Sequence, residues 1–442
     1  MRGIVRAKEL AALDRELERF LAALVAPMGR SERRHWAKMY VLGLLLDGER
    51  KSIEPMAERL EGAEVQALRQ FVGQSPWEVE AVQRALAHWV VDALSEPEVW
   101  MIDETSFPKA GEHSVGVARQ YCGALGKLAN CQVAVSLHWS SAQMSCPLGW
   151  RLYLPKAWTE DPERCARARV PKDTVARTKT ELALELVDQM LGWDLPRLPV
   201  VADCAYGNDF AFRAALRQRE LRYAVAVERT TKVWLAAPRR AAVAPPIGKR
   251  PRGRARRHAP WAEDQPKPLD LPAVAHQLPS AAWQKVTWRQ GSKAPMASRF
   301  ARVQVWASHG WPVPSPRPPA AEWLLIEWPE GAAAPSDYWL AELGPQPVGL
   351  RRLVRTARAR WRVELDYREL KDELGLDHYE GRHWLGWHHH VTLVSMAFGF
   401  LRSQQLRGKK NFWCDLAPDP AQTAVPLDPP GGTLPVVPNP LR

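Results

Sequence analysis

The stretch LPVVAD, residues 198–203, reads as a strand buried on both faces and ended by a carboxylate. VWMID, residues 99–103, repeats the pattern. Asp203 and Asp103 therefore project from the C-terminal ends of two buried strands, where open sheets covered by helices present their ligands. A carboxylate in that position is partly desolvated and needs a partner, and a divalent cation is the natural one. The plainer alternative is that each aspartate only caps the turn that follows it.

Outward from these two strands the texture is consistent. Short runs rich in β-branched and aromatic residues, SVGVARQYCG (114–123), CQVAVSLHW (131–139), WRLYLP (150–155) and RYAVAVE (222–228), predict further strands. Helical periodicity marks DTVARTKTELALELVDQML (173–191), with Asp173 as its expected cap, and NDFAFRAALRQREL (208–221). Such an order suits an α/β fold, a mixed sheet with helices on its faces. Residues 1–95 read as helix after helix, either a DNA-binding domain or a helical cap on the next domain. Residues 96–235 hold the first part of the sheet domain. The pattern breaks over 236–336, a Pro-rich, mainly β insertion with strand-like RFARVQVW (299–306) and EWLLIEW (322–328) and the basic run GKRPRGRARRH (248–258). Residues 337–410 return to the sheet domain with YWLAEL (338–343) and helices over about 348–374 and 384–406. The Pro-rich tail 411–442 reads as disordered.

With 442 residues the chain is long enough for two or three domains, and 61 basic against 49 acidic residues leave a net charge of +12. That surplus favours an acidic partner, nucleic acid first and an anionic membrane surface second. No run of about eighteen apolar residues is present, and the charged N-terminal stretch lacks the apolar core of a signal peptide, so a cytoplasmic location is expected. The cysteines lack CxxC pairing and read as free thiols, with no zinc ribbon or disulfide framework.

A third acid lies in WRVELDYRELKDELGLDHYEGRHW (361–384). Arg360, Glu364, Arg368 and Lys371 share one helical stripe, while Val363, Tyr367, Leu370 and Leu374 form an adjacent apolar one. One stripe packs and the other faces either solvent, as a series of i,i+4 ion pairs, or a cleft.

Three stretches together, DETSFPKAGEHSVGVARQYCG from Asp103, VVADCAYGND around Asp203 and RWRVELDYRELKDELGLDHYEGRHWLGWHHHVTLV around Glu364, resemble the DDE transposases of bacterial insertion sequences. The resemblance is closest to the subgroup whose ribonuclease-H-like catalytic domain is interrupted by a β-rich insertion. That family's glutamate signature is Tyr, two residues, Arg, three residues, Glu, six residues, Lys. Arg360, Glu364 and Lys371 match it, and Ala357 stands at the tyrosine position, with Tyr367 a nearby substitute for a contact to the DNA end.

The resemblance implies that Asp103, Asp203 and Glu364 hold two Mg²⁺ ions, with Mn²⁺ a possible substitute, for in-line phosphoryl transfer on DNA. It further implies double-stranded DNA partners, the transposon ends and a target, and a homodimer holding two ends. Arg360, Lys371, Arg368, Lys109 and Arg119 are the expected DNA contacts, and the insertion tryptophans 283, 288, 306, 311 and 323 are either base-stacking or core residues. His388, His389 and His390 point in different directions along a helix, which favours structural or phosphate-contact roles over a metal site. Two other readings remain: a nuclease of the same fold that cleaves without joining, and a transposase-derived DNA-binding regulator without catalysis.

Overall fold

The computed structural model describes residues 7–93, 96–239, 262–291, 294–308, 320–344 and 348–407. The basic run 248–258, Trp311 and the tail 411–442 lie outside them. The chain opens with helices α1 (Ala7–Val25), α2 (Ser31–Leu45), α3 (Ile53–Glu58), α4 (Val65–Gln74) and α5 (Val79–Ala93). Strands β1 (Pro97–Pro108), β2 (Ala118–Cys122), β3 (Lys127–Ser141) and β4 (Ser145–Leu152) follow. Two short helices, α6 (Lys156–Thr159) and α7 (Pro162–Arg167), lead to α8 (Lys179–Gly192). Next come β5 (Val200–Ala202), α9 (Cys204–Gly207), α10 (Phe210–Gln218) and β6 (Tyr223–Ala226). The interrupting segment supplies β7 (Lys232–Trp234), β8 (Leu269–Asp270), α11 (Leu271–Gln277), β9 (Gln284–Gln290), β10 (Pro295–Ala307) and β11 (Glu322–Trp328). The chain returns through β12 (Asp337–Glu342), α12 (Leu350–Arg358), α13 (Trp361–Asp372) and α14 (Trp384–Leu406).

One sheet of the described residues takes the order β2-β3-β1-β5-β6-β12-β11-β10-β7-β8, with β4 on β3 and β9 on β10. The pairs β1/β5 and β5/β6 are parallel and β1/β3 and β3/β4 antiparallel, so the sheet is mixed and helix-covered, as a ribonuclease-H-like fold requires. Two neighbours on β4 define its faces. A Cβ on Gly149 would stand 2.8 Å from Leu186 of α8, while Trp150 Nε1 donates to Ser395 Oγ of α14 at 2.9 Å on the opposite side. Side chains alternate along a strand, so α8 covers one face and α14 the other.

Helix α14 is apolar nearly all round because it is buried nearly all round. It packs on β4 and is wrapped by α2, α4 and α5, so the N-terminal helices and the sheet share one continuous apolar core. The three histidines serve this packing. His389 stacks on Trp77 with ring centroids 3.7 Å apart, and Tyr40 Oη lies 2.9 Å from His390 Nδ1. Burial pushes His388, His389 and His390 down to about 3, 4 and 3, which keeps all three neutral.

The described strands of the interrupting segment do not form a separate sheet. Its strands β11 and β10 continue the central one through β12, which pairs antiparallel with β6 in the register Leu340↔Val225. On one face α11 places Leu271 and Val274 against Val305, Leu324 and Ile326. A buried ion pair ties the segment to the first part of the domain: Arg213 Nε on α10 donates to Glu322 Oε1 at 2.8 Å, and Tyr223 Oη donates to the same oxygen at 2.7 Å. The described tryptophans of this segment are engaged in packing: Trp283 against Trp328, Trp288 against Phe300, Trp306 beside Phe210, and Trp323 under the Arg302 guanidinium.

One helix start differs from the sequence expectation. Helix α8 begins at Lys179, and its cap is Thr178: Thr178 Oγ1 accepts from Glu181 N at 3.2 Å while Thr178 N donates to Glu181 Oε2 at 2.7 Å. This reciprocal capping box satisfies two otherwise orphaned donors, which a single aspartate at position 173 does not.

Candidate active site

Asp103 lies within β1, opposite Ser136 of β3, and is 7% exposed. Its Oδ1 accepts from Glu104 N at 2.8 Å, and its Oδ2 accepts from Arg360 Nη1 at 2.5 Å. Burial pushes the Asp103 carboxyl up to about 7; the Arg360 charge opposes this and the Asp203 charge adds to it.

Asp203 follows β5 directly and caps α9, its Oδ1 accepting from Ala205 N at 2.9 Å. In the parallel β1/β5 ladder Trp100 pairs with Val200 and Met101 with Val201, so both aspartates stand two residues past one rung. The turn after Asp203 is tight. A Cβ on Gly207 would fall 1.8 Å from Ala226 O, so only glycine lets α9 lie against β6 and hold Asp203 at the sheet.

Glu364 sits in the first turn of α13, exposed toward the same place, and its Oε1 accepts from Arg360 Nη2 at 2.9 Å. One guanidinium thus serves Asp103 and Glu364, which puts these carboxylates no more than about 8 Å apart, the span of its planar fork with two hydrogen bonds. Arg360 also feels the charge of Asp203. Arg360 thus bonds two of the three acids and feels the charge of the third. Among the described residues no group of three His, Cys, Asp or Glu side chains is drawn together tightly enough to grip a metal ion as it stands. The donor set nonetheless fits a hard divalent cation: all oxygen, and including a buried carboxylate whose only ion-pair partner among the described residues is Arg360.

The packing stripe of α13 is as the spacing predicts, with Val363, Leu370 and Leu374 buried. Its tyrosine is buried too. Tyr367 Oη lies 2.6 Å from Ser136 Oγ, so it fixes α13 to β3 and does not replace the missing signature tyrosine at a DNA end. Ala357, at the signature position, is itself buried in α12. The basic residues divide. Arg368 and Arg119 are exposed, whereas Lys371 Nζ donates to Ser106 O at 2.9 Å and Lys109 Nζ to Tyr379 O at 2.7 Å.

Two groups were missed by sequence reasoning. Glu104, next to Asp103, pairs with Lys179 at 2.5 Å and accepts from Tyr206 Oη at 3.4 Å, holding α8 and α9 beside the site. Asp366 is buried under α13, where His138 Nδ1 lies 2.8 Å from its Oδ2 and Ser145 Oγ and Arg402 Nη2 donate to its Oδ1 at 2.7 and 3.1 Å. Burial raises this carboxyl, but those partners outweigh it and hold it below the ordinary range. The signal was its spacing: 363, 366, 367 and 370 lie on the buried face.

Asp103 in the middle of β1, Asp203 just past β5 and Glu364 on α13 thus stand on a helix-covered mixed sheet of the ribonuclease-H-like kind, the fold of DDE endonucleases; the strand end expected for Asp103 is not found, because its ladder with β3 runs on to Pro108. Residues 23–295 match the family described as DDE superfamily endonuclease, and the chain belongs to that family. It is also 30% identical over 188 residues to a protein of Microchaete diplosiphon named as a probable transposase for insertion sequence element IS701. That similarity covers 42% of this chain and 47% of the relative, about half of its length. Asp103 and Asp203 fall inside the family match; Glu364 lies beyond it.

Proposed function

We propose that the chain is a transposase that cuts double-stranded DNA at the ends of its own element and joins them to a target. The observation that carries this reading is the Arg360 bridge between Asp103 and Glu364, with Asp203 beside them. It draws the middle of β1 and a distant helix together, next to the residue that follows β5. Asp103, Asp203 and Glu364 would hold two Mg²⁺ ions, which supply an activated water or 3′-hydroxyl and neutralise the leaving oxygen. In the absence of DNA, Arg360 neutralises the carboxylates. With the carboxylates otherwise neutralised, its fork is free to take two phosphate oxygens of the strand being cut. Arg368 and Arg119 extend the contact along the backbone, and Lys109 and Lys371 contribute positive charge from their anchored positions.

The reading includes residues 1–95 as a DNA-binding part, 96–235 and 337–410 as the catalytic domain, 236–336 as the insertion, and a homodimer bringing two ends together. DNA as substrate places the protein at the nucleoid of a bacterial cytoplasm. No helix of the described residues is long and apolar enough to cross a membrane.

The test is incubation of purified protein with labelled end DNA, target DNA and Mg²⁺. Cleaved and joined products are expected, both lost in Glu364→Gln with end binding kept. Cleavage with no joined product assigns a nuclease instead, and intact DNA under all conditions assigns a non-catalytic regulator.

A further inference from the structure

One arginine-lined cleft lies away from the three acids. It measures about 910 Å³ and opens at the N-terminal ends of β1, β5 and β6, floored by Glu98, Pro199 and Leu221. Five arginines line it, Arg197, Arg222, Arg351, Arg352 and Arg355, against two glutamates, Glu98 and Glu220. Arg355 is neutralised by Glu98, and Arg197 Nη1 donates to Arg219 O at 2.6 Å. Arg222, Arg351 and Arg352 are exposed and have no ion-pair partner among the described residues.

Three unneutralised guanidiniums around one concavity repel one another, and low-dielectric walls focus their field outward. Two of them stand in the first turn of α12, whose N-terminus at Gly349 also lines the cleft and adds its positive dipole end. The cleft is continuous with a second of about 380 Å³, which shares Glu98, Arg351 and Arg355 and runs on toward α13. There the Arg289 guanidinium stacks over the Trp361 ring at 3.6 Å.

We propose that this arginine-lined cleft binds the phosphodiester backbone of DNA at a place separate from the strand being cut. The separation follows from β1 itself: Glu98 is five residues before Asp103, roughly 16 Å along an extended strand. That is too far for one phosphate to touch both. A track this long, lined with guanidiniums and lacking an enclosed apolar slot, fits a continuous polyanion and not a single small anion. The inference rests on DNA being the substrate, as proposed above.

The test compares full-length wild type with the triple variant Arg222→Ala, Arg351→Ala, Arg352→Ala in binding a short duplex of arbitrary sequence over a salt series. A control variant, Lys267→Ala with Lys285→Ala, removes charge outside the cleft. Loss of phosphate contacts predicts a log–log salt slope shallower by about 2 to 3 in the triple variant, with the control near wild type and the melting temperature unchanged. An unchanged slope, or an equal change in the control, overturns the proposal. Cleavage of end DNA in Mg²⁺ is read on the same wild-type preparation. Its absence rejects the transposase reading while the slopes still decide the cleft, and intact cleavage with unaltered slopes rejects the cleft alone.

Discussion

Arg360 Nη1 lies 2.5 Å from Asp103 Oδ2, joining the start of α13 to the middle of β1 across 257 positions of chain. The contact neutralises a buried carboxylate and sets where Glu364, one turn further along α13, meets the sheet. Replacing Arg360 by Ala leaves Asp103 buried without its partner charge. Because the arginine is partly exposed, the expected cost is about 2 kcal/mol in metal-free buffer, below that of a fully buried pair. Mg²⁺ should restore more stability to the variant than it adds to the wild type. Thermal unfolding with chelator and with Mg²⁺ checks this; equal melting temperatures in chelator contradict it.

The hydroxyl pair Tyr367–Ser136, 2.6 Å apart, fixes the angle at which α13 carries Glu364 past β3. Tyr367→Phe keeps the ring packing and removes one buried hydrogen bond, an expected loss of about 1 kcal/mol. The unpaired Ser136 hydroxyl retains its other contact, His138 Nε2 at 2.9 Å, so the fold holds. DNA cleavage should fall while end binding stays. A variant that cleaves at the wild-type rate removes Tyr367 from the positioning role.

Glu322 gives a pH dependence with a defined sign. Burial raises its carboxyl, but Arg213, Arg217 and Tyr223 outweigh this and hold it below its ordinary 4.5. A depressed folded-state value means that the stabilisation is present above about pH 4.5 and is lost as pH falls below it. Glu322→Gln leaves Arg213 buried and uncompensated, with an expected cost of about 3 to 5 kcal/mol near pH 7. The gap from wild type should narrow on acidification below pH 4.5. Denaturant titrations across pH measure it, and a gap constant down to pH 3 refutes the assignment.

The histidines of α14 act at higher pH. Burial lowers all three from 6.5 to between about 3 and 4, so the unfolded chain binds their protons first. Stability is therefore expected to drop as pH falls below about 6.5, with Asp103, pushed up to about 7, taking up a proton in the folded state and offsetting part of that drop. Melting temperatures between pH 8 and 5 test this, and a flat profile there argues against neutral burial of these rings.

Much of this architecture was legible in the sequence. LPVVAD shows both its strand and its acid because a buried parallel strand is short, β-branched and abruptly ended, whereas VWMID marks only the first half of β1, which runs on to Pro108 in its antiparallel ladder with β3 and leaves Asp103 mid-strand. The α13 stripe was legible because 3.6-residue periodicity fixes which side chains share a face. Pairing was not. The alternation in RFARVQVW and EWLLIEW marks strands but does not say that they extend the central sheet through β12. Spacing put Tyr367 on the packing stripe but did not name Ser136 as its partner, nor show that Thr178 supplants Asp173 as the cap, since both depend on partners distant in sequence or on competition between neighbouring polar side chains. The arginine cleft escaped notice for the same reason: Arg222 and Arg351 meet only when β6 and α12 do.

In the proposed transposase, Asp103, Asp203 and Glu364 share one site for divalent ions. Fe²⁺ placed at Mg²⁺ sites generates hydroxyl radicals that cut the nearby polypeptide backbone, so mapping the fragments locates the ions. Cuts are expected near residues 103, 203 and 364 together, all suppressed by excess Mg²⁺ and all lost in Asp103→Asn. Cuts near one of the three only, or clustered elsewhere on the chain, would contradict it.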